Sequence, residues 1–207
     1  MKGMLVIISG PSGSGKGTVV KNLKYALSIS VTTRKRRETE EHGVDYFFCT
    51  EEEFIRMREN DELLEHAAYV GKFYGTPRKY VEERIDKGEV VVLEIEVNGA
   101  IQVKEKFPDA VLIFLIPPSI DDLAKRLAFR NTEDSLEIED RITRALEEIE
   151  LIDRYDYLVV NDDIPVTVSE IETIVTAEYL KPHRSKDRIE KFAFAKTSNI
   201  AEASHQI

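Results

Sequence analysis

The chain has 207 residues, enough for one large domain with a proper core, and its 42% hydrophobic and 33% charged content is that of an ordinary globular fold. A net charge of -10 excludes a general nucleic-acid binder, which carries a basic face, but leaves room for a local basic pocket. The single Cys49 excludes an internal disulfide and a multi-cysteine metal cluster, no apolar run approaches the ~20 residues of a membrane span, and Met4 to Ile8 is too short for a signal peptide, so a cytoplasmic protein without a membrane partner is expected.

In chain order, Met4-Leu5-Val6-Ile7-Ile8-Ser9 is an apolar, β-branched run that predicts a buried strand. Gly10-Pro11-Ser12-Gly13-Ser14-Gly15-Lys16-Gly17-Thr18 follows and fits the G-x-x-x-x-G-K phosphate-binding pattern. Its glycines let the backbone wrap an anion, the next helix adds unpaired N–H groups and a positive dipole end, and Lys16 brings a full charge to the outer phosphates. The Ser or Thr usual after the lysine is replaced by Gly17. Thr18 stands one place later, turned by about 100° on a helix, which leaves direct ligation of a metal by Thr18 open.

The helix is expected to run from about Gly15 to Tyr25 or Ala26, and Leu27 to Thr33 alternates like one strand directly after it. Arg34-Lys35-Arg36-Arg37 reads either as a solvated basic face or as an anion site, since arginine's planar fork suits a phosphate monoester. Val44 to Phe48 predicts a short aromatic strand and Glu51 to Asn60 a polar helix. Thr76 and Pro77 read as N-cap and first residue of a helix ending at Lys87 before Gly88. Val90 to Glu96 is expected as a buried strand presenting Glu94 and Glu96 at its carboxyl end, because a carboxylate buried without a partner costs several kcal/mol. A helix from Gly99 to Lys106 leads to a strand at Val111 to Ile116. Ser119 opens the next helix, and a long one runs from Ile138 to Tyr155. Arg126, Arg130 and Arg141 thus flank a polar segment, as a lid lowering cations onto phosphates would, or as surface arginines paired with glutamates. Tyr157 to Val160 is a fifth strand and Pro165 to Tyr179 a last helix.

Seven of these pieces together resemble the guanylate kinase family over about residues 1 to 180: Ser9 to Lys16, Ser30 to Arg37, Gly43 to Phe48, Leu64 to Ala67, Tyr74 to Thr76, Leu93 to Glu96 and Val159 to Asp163. The resemblance implies an α/β fold: a P-loop parallel-sheet core flanked by helices (1–33, 81–125, 145–185), a mixed α+β GMP-binding insertion (34–80), a helical lid (126–144) and a tail (186–207). It implies transfer of phosphate from ATP to GMP, and to dGMP, with Mg2+. Gly10 to Thr18, Arg126, Arg130 and Asn161 would then bind ATP, with Asn161 near the adenine. Arg34, Arg37, Tyr46 and Tyr74 would hold the GMP phosphate, while Ser30, Glu65, Thr76 and Glu96 read guanine. Lys16, Arg34, Arg130 and Arg141 would be catalytic, and Glu94 would face the metal, directly or through water. Glu94 and Glu96 stand where aspartates are usual, Asn98 where glutamine is, and Asn131 where glycine is. A kinase for another nucleoside monophosphate and a non-catalytic scaffold domain are the alternative readings.

Overall fold

The computed structural model describes residues 2–128 and 135–192. Its elements are β1 (Met4–Ser9), α1 (Lys16–Asn22), β2 (Ala26–Leu27), β3 (Val31–Thr32), β4 (Phe47–Phe48), α2 (Glu51–Glu59), β5 (Leu63–Tyr69), β6 (Lys72–Pro77) and α3 (Arg78–Asp86). They continue with β7 (Val90–Glu94), α4 (Val97–Lys106), β8 (Val111–Ile116), α5 (Ile120–Ala128), α6 (Ser135–Ile149), β9 (Tyr157–Val160) and α7 (Ile164–Glu178). Five strands form a parallel sheet in the order β2-β7-β1-β8-β9, and four form a second, mixed sheet in the order β4-β3-β6-β5.

β1 is central and buried throughout, and its alternation sorts the helices into two layers. Met4, Val6 and Ile8 pack with Val19 and Val20 of α1 and with Ile171 and Val175 of α7. Leu5 and Ile7 point to the other face, against Val81 and Ile85 of α3 and Ala100 and Val103 of α4. Each such side chain contributes about 1.5–3 kcal/mol of burial. The small sheet has its own core of Val31, Phe54 and Leu63, with the Phe54 and Phe73 rings stacked at 5.4 Å. α2 covers it, started by a reciprocal capping box between Thr50 and Glu53. No described helix is long and apolar enough to cross a membrane.

Several expected elements are redrawn. The stretch Leu27 to Thr33 is not one strand: Ala26–Leu27 pairs with Val91–Val92 in the large sheet, and Val31–Thr32 pairs with Phe47–Phe48 and Gly75–Tyr74 in the small one. Ser28 still bonds Val92 O and Ser30 O still accepts from Phe47 N, so these residues form the crossing between sheets. α1 stops at Asn22, leaving Leu23 to Tyr25 as the connection that the longer helix had consumed. The expected strand from Val44 narrows to Phe47–Phe48, preceded by a bridge between His42 and Tyr46. Thr76 is not a helix cap but a β6 residue whose hydroxyl donates to Glu65, and Pro77 takes the N-cap position. β7 ends at Glu94, so Glu96 becomes the N-cap of a helix starting at Val97. α6 ends at Ile149 and a short 3-10 turn, Ile152–Arg154, leads to β9.

Candidate active site

The turn after β1 sits at the carboxyl end of the central strand, where open parallel sheets bind ligands. Gly15 caps α1 in the left-handed region at φ 91. Lys16 Nζ donates to Gly10 O at 2.5 Å and Pro11 O at 3.0 Å, so the ammonium curls over the turn. Arg126 Nη1 donates to Ser14 O at 3.3 Å and its Nη2 to Asn161 O at 2.8 Å. Arg141 of α6 reaches Ser12 Oγ. Three cations from three helices thus converge on one loop, which gives a polyphosphate both backbone donors and neutralising charge.

Parallel pairing of Ile8 with Glu94 sets this carboxylate beside the loop. A Cβ at Gly17 would fall 3.3 Å from Glu94 Oε1, so the glycine is what lets the longer carboxylate lie over the start of α1. Desolvation pushes the Glu94 carboxyl up, with Lys16 and Lys21 pulling it back. Thr18 is exposed. Among the described residues no group of three or more His, Cys, Asp or Glu is arranged to hold a metal ion.

In the small sheet, Arg34 forms a two-pronged ion pair with Glu40, Nη2 to Oε1 at 2.7 Å and Nη1 to Oε2 at 3.0 Å. The pair raises the Arg34 pKa and holds the Glu40 carboxyl down to about 2, with the Arg37 backbone N–H assisting. The Arg34 guanidinium lies 5.3 Å from the centre of the Tyr46 ring. Arg37 is exposed, its Nη1 3.9 Å from Glu40 Oε1. Arg34, Arg37, Tyr46 and Tyr74 line one cavity of about 380 Å³, joined by Glu40, Tyr69, Val70 and Lys72. Three cations against one carboxylate leave an excess suited to a phosphate dianion. The roles of Glu40 and Lys72 were hidden in the sequence, where each looks like one more surface charge.

Ser30, Tyr46 and Glu94 line a second cavity of about 120 Å³, with Leu27, Ser28 and Asp45. Tyr46 is therefore in the walls of both cavities, and Glu94 carries the second to the phosphate loop. Glu65 is 5% exposed, and Thr76 Oγ1 donates to its Oε1 at 2.7 Å. Burial pushes this carboxyl up to about 7; Thr76 opposes the shift, Glu96 adds to it and Lys106 opposes it. A buried carboxylate of this kind can accept two neighbouring N–H donors from a flat ring.

Asn161 is 2% exposed, its Nδ2 donates to Ser14 O at 2.7 Å and its Oδ1 accepts from Thr167 at 3.3 Å. The amide braces the phosphate loop from beneath. Arg130 and Asn131 lie outside the described residues. Glu148 of α6, not anticipated, stands within electrostatic reach of Lys16, its carboxyl pushed up mainly by burial.

A parallel sheet ending in this loop, with a second sheet that carries an arginine–tyrosine cavity, is the architecture of the P-loop nucleoside monophosphate kinases. The family model described as guanylate kinase matches residues 2–178. A guanylate kinase of Oceanobacillus iheyensis is 50% identical over 195 residues, covering 92% of this chain and 95% of that one. The crystal structure of guanylate kinase from Anaplasma phagocytophilum aligns with a TM-score of 0.69 at 37% identity, over 88% of this chain and 89% of that chain. The chain belongs to the guanylate kinase family.

Proposed function

We propose that the chain transfers the γ-phosphoryl group of ATP to GMP, and also to dGMP, reversibly and in the cytoplasm, giving ADP and the diphosphate. The observation that carries this reading is the second cavity, whose walls include both Tyr46 of the arginine cavity and Glu94 beside the phosphate loop. In the arginine cavity, Arg34, Arg37, Tyr46 and Tyr74 hold the GMP phosphate. Glu65 accepts the N1–H and 2-amino group of guanine, with Thr76 orienting the carboxylate and Ser30 and Glu96 flanking the base. Adenine offers a lone pair and no amino group there, so the same carboxylate rejects it, by several powers of ten in sites built this way.

Phosphoryl transfer needs positioning and charge neutralisation more than proton transfer. Gly10 to Thr18 would cradle the ATP phosphates, with Lys16, Arg126, Arg130 and Arg141 as the cations around them. Mg2+ fits this donor set as a nucleotide-borne ion: the Glu94 carboxylate over Gly17 would face it directly or through water, and one or two carboxylates suffice for a metal held mainly by phosphates. When bound, the ion would neutralise charge on the transferring group. Residues 126–144 would act as a lid on the core, with 34–80 as the GMP-binding part. No covalent enzyme intermediate and no essential general base are required.

The test is a coupled assay with Mg-ATP and GMP, AMP, UMP or dTMP in turn. GMP is expected to be the preferred acceptor by orders of magnitude, and preference for AMP would end the assignment. A non-catalytic scaffold role would give no turnover with any of them.

A further inference from the structure

β5 is the edge strand of the small sheet, and its pairing with β6 slips between Leu63 and His66, so Glu65 sits in a bulge where the regular ladder is broken. An unsupported bulge on an edge strand is a poor place from which to hold a carboxylate accurately. Helix α4 supplies the support. The Gln102 amide bonds the His66 backbone on both sides, accepting from His66 N at 3.2 Å and donating to His66 O at 3.3 Å. One turn later Lys106 Nζ donates to Leu63 O at 2.9 Å and to Asp61 Oδ1 at 2.7 Å. Between these anchors and the start of the helix lies Gly99, where a Cβ would come within 3.2 Å of Glu65 Oε2.

Glu96, Gly99, Gln102 and Lys106 are spaced three, three and four residues apart, within about 120° of arc on one helix face. That face is a rail along which the broken strand is pinned. We propose that Gln102 is a positioning residue for base selection: by pairing the His66 N–H and C=O on the open edge of β5, directly after the bulge, it sets the height of Glu65 against Gly99 and Glu96. It touches neither nucleotide and acts only through the β5 backbone. The proposal rests on the reading of Glu65 as the acceptor of guanine.

The experiment compares Gln102→Met, which removes both bonds at similar length, with Gln102→Glu, which keeps an acceptor for His66 N–H. Steady-state constants are measured with GMP, with AMP and for ATP, alongside thermal melts and a parallel Glu65→Gln variant. Gln102→Met is expected to raise the KM for GMP on the order of tenfold and to lower the GMP-over-AMP ratio of kcat/KM similarly, with the KM for ATP within about twofold of the parent. Gln102→Glu is expected to recover part of the loss. An unchanged KM for GMP, or an equal loss with both acceptors and with ATP, overturns the proposal. If Gln102→Met melts too low to assay, Gln102→Glu carries the test: a smaller shift in the same direction supports it, and no shift overturns it. If Glu65→Gln leaves GMP selectivity intact, the guanine reading fails and takes the proposal with it. If only the Gln102 variants leave it intact, the proposal alone fails.

Discussion

The KM for GMP should rise steeply when the pH is lowered from 8 to 6. In the role proposed for it, Glu65 must be ionised to accept two N–H groups of guanine, and its carboxyl is pushed up to about 7, chiefly by burial. Glu96 strengthens the shift; Thr76 and Lys106 oppose it. For a ligand that binds only the ionised form, KM scales as one plus the ratio of protonated to ionised Glu65, roughly 11 at pH 6 and roughly 1.1 at pH 8. The GMP phosphate titrates too, near 6, adding a factor of about two at the acid end. The neighbouring His66 imidazole is lowered from its ordinary value by burial, with Arg58 and Lys106 adding to the shift. The parent should therefore show about a twentyfold rise, and Glu65→Gln, which keeps only the phosphate contribution, about a twofold one. Initial rates against GMP concentration at saturating Mg-ATP, at half-unit pH intervals, measure both. A flat profile in the parent, or the same slope in the variant, would refute the reasoning.

The same carboxyl opposes folding. Its pKa is higher in the folded chain than the ordinary 4.5, so between 4.5 and about 7 the folded state holds a proton that the unfolded state releases, and stability falls as pH rises through that window. Glu65→Gln should therefore raise stability more at pH 8 than at pH 5, by an amount on the order of 1–3 kcal/mol in unfolding free energy from denaturant titrations; equal shifts at both would contradict this. Gly17→Ala places a methyl 3.3 Å from Glu94 Oε1, at the movable end of a side chain. It should leave stability within about 0.5 kcal/mol but lower kcat and weaken the response to Mg2+, as read from magnesium titrations of the rate. Lys16→Ala should remove most turnover while circular dichroism and melting stay close to the parent's; normal activity would contradict the role given to the loop.

What the sequence made legible, and what it hid, divides along the range of the forces involved. β1 and β8 fall where their apolar runs fall, because a strand buried on both faces advertises itself locally. The alternation from Leu27 to Thr33 has the same period whether one strand or two use it, so the switch between sheets at Ser28 to Ser30 left no mark. Thr76 before Pro77 carries a strong local capping signal, but the hydroxyl is claimed by a carboxylate eleven residues away. Asn161 stands out in the sequence only through the family resemblance; its contact is with Ser14, 147 residues earlier, and only the fold brings the two together. Gln102 and Lys106 look like the solvated side of a helix until the broken edge of β5 is laid against them.

Alternate residues of β1 grip different layers, Met4, Val6 and Ile8 on one side and Leu5 and Ile7 on the other. A slip of one residue would exchange those partners wholesale and carry the loop about 3.3 Å along the strand axis. The accuracy with which Gly10 to Lys16 meet their anion is thus borrowed from hydrocarbon interlocking well behind the loop. Selection can reshape the surroundings of Glu65 residue by residue, whereas the loop after β1 can be moved only by recutting the interior.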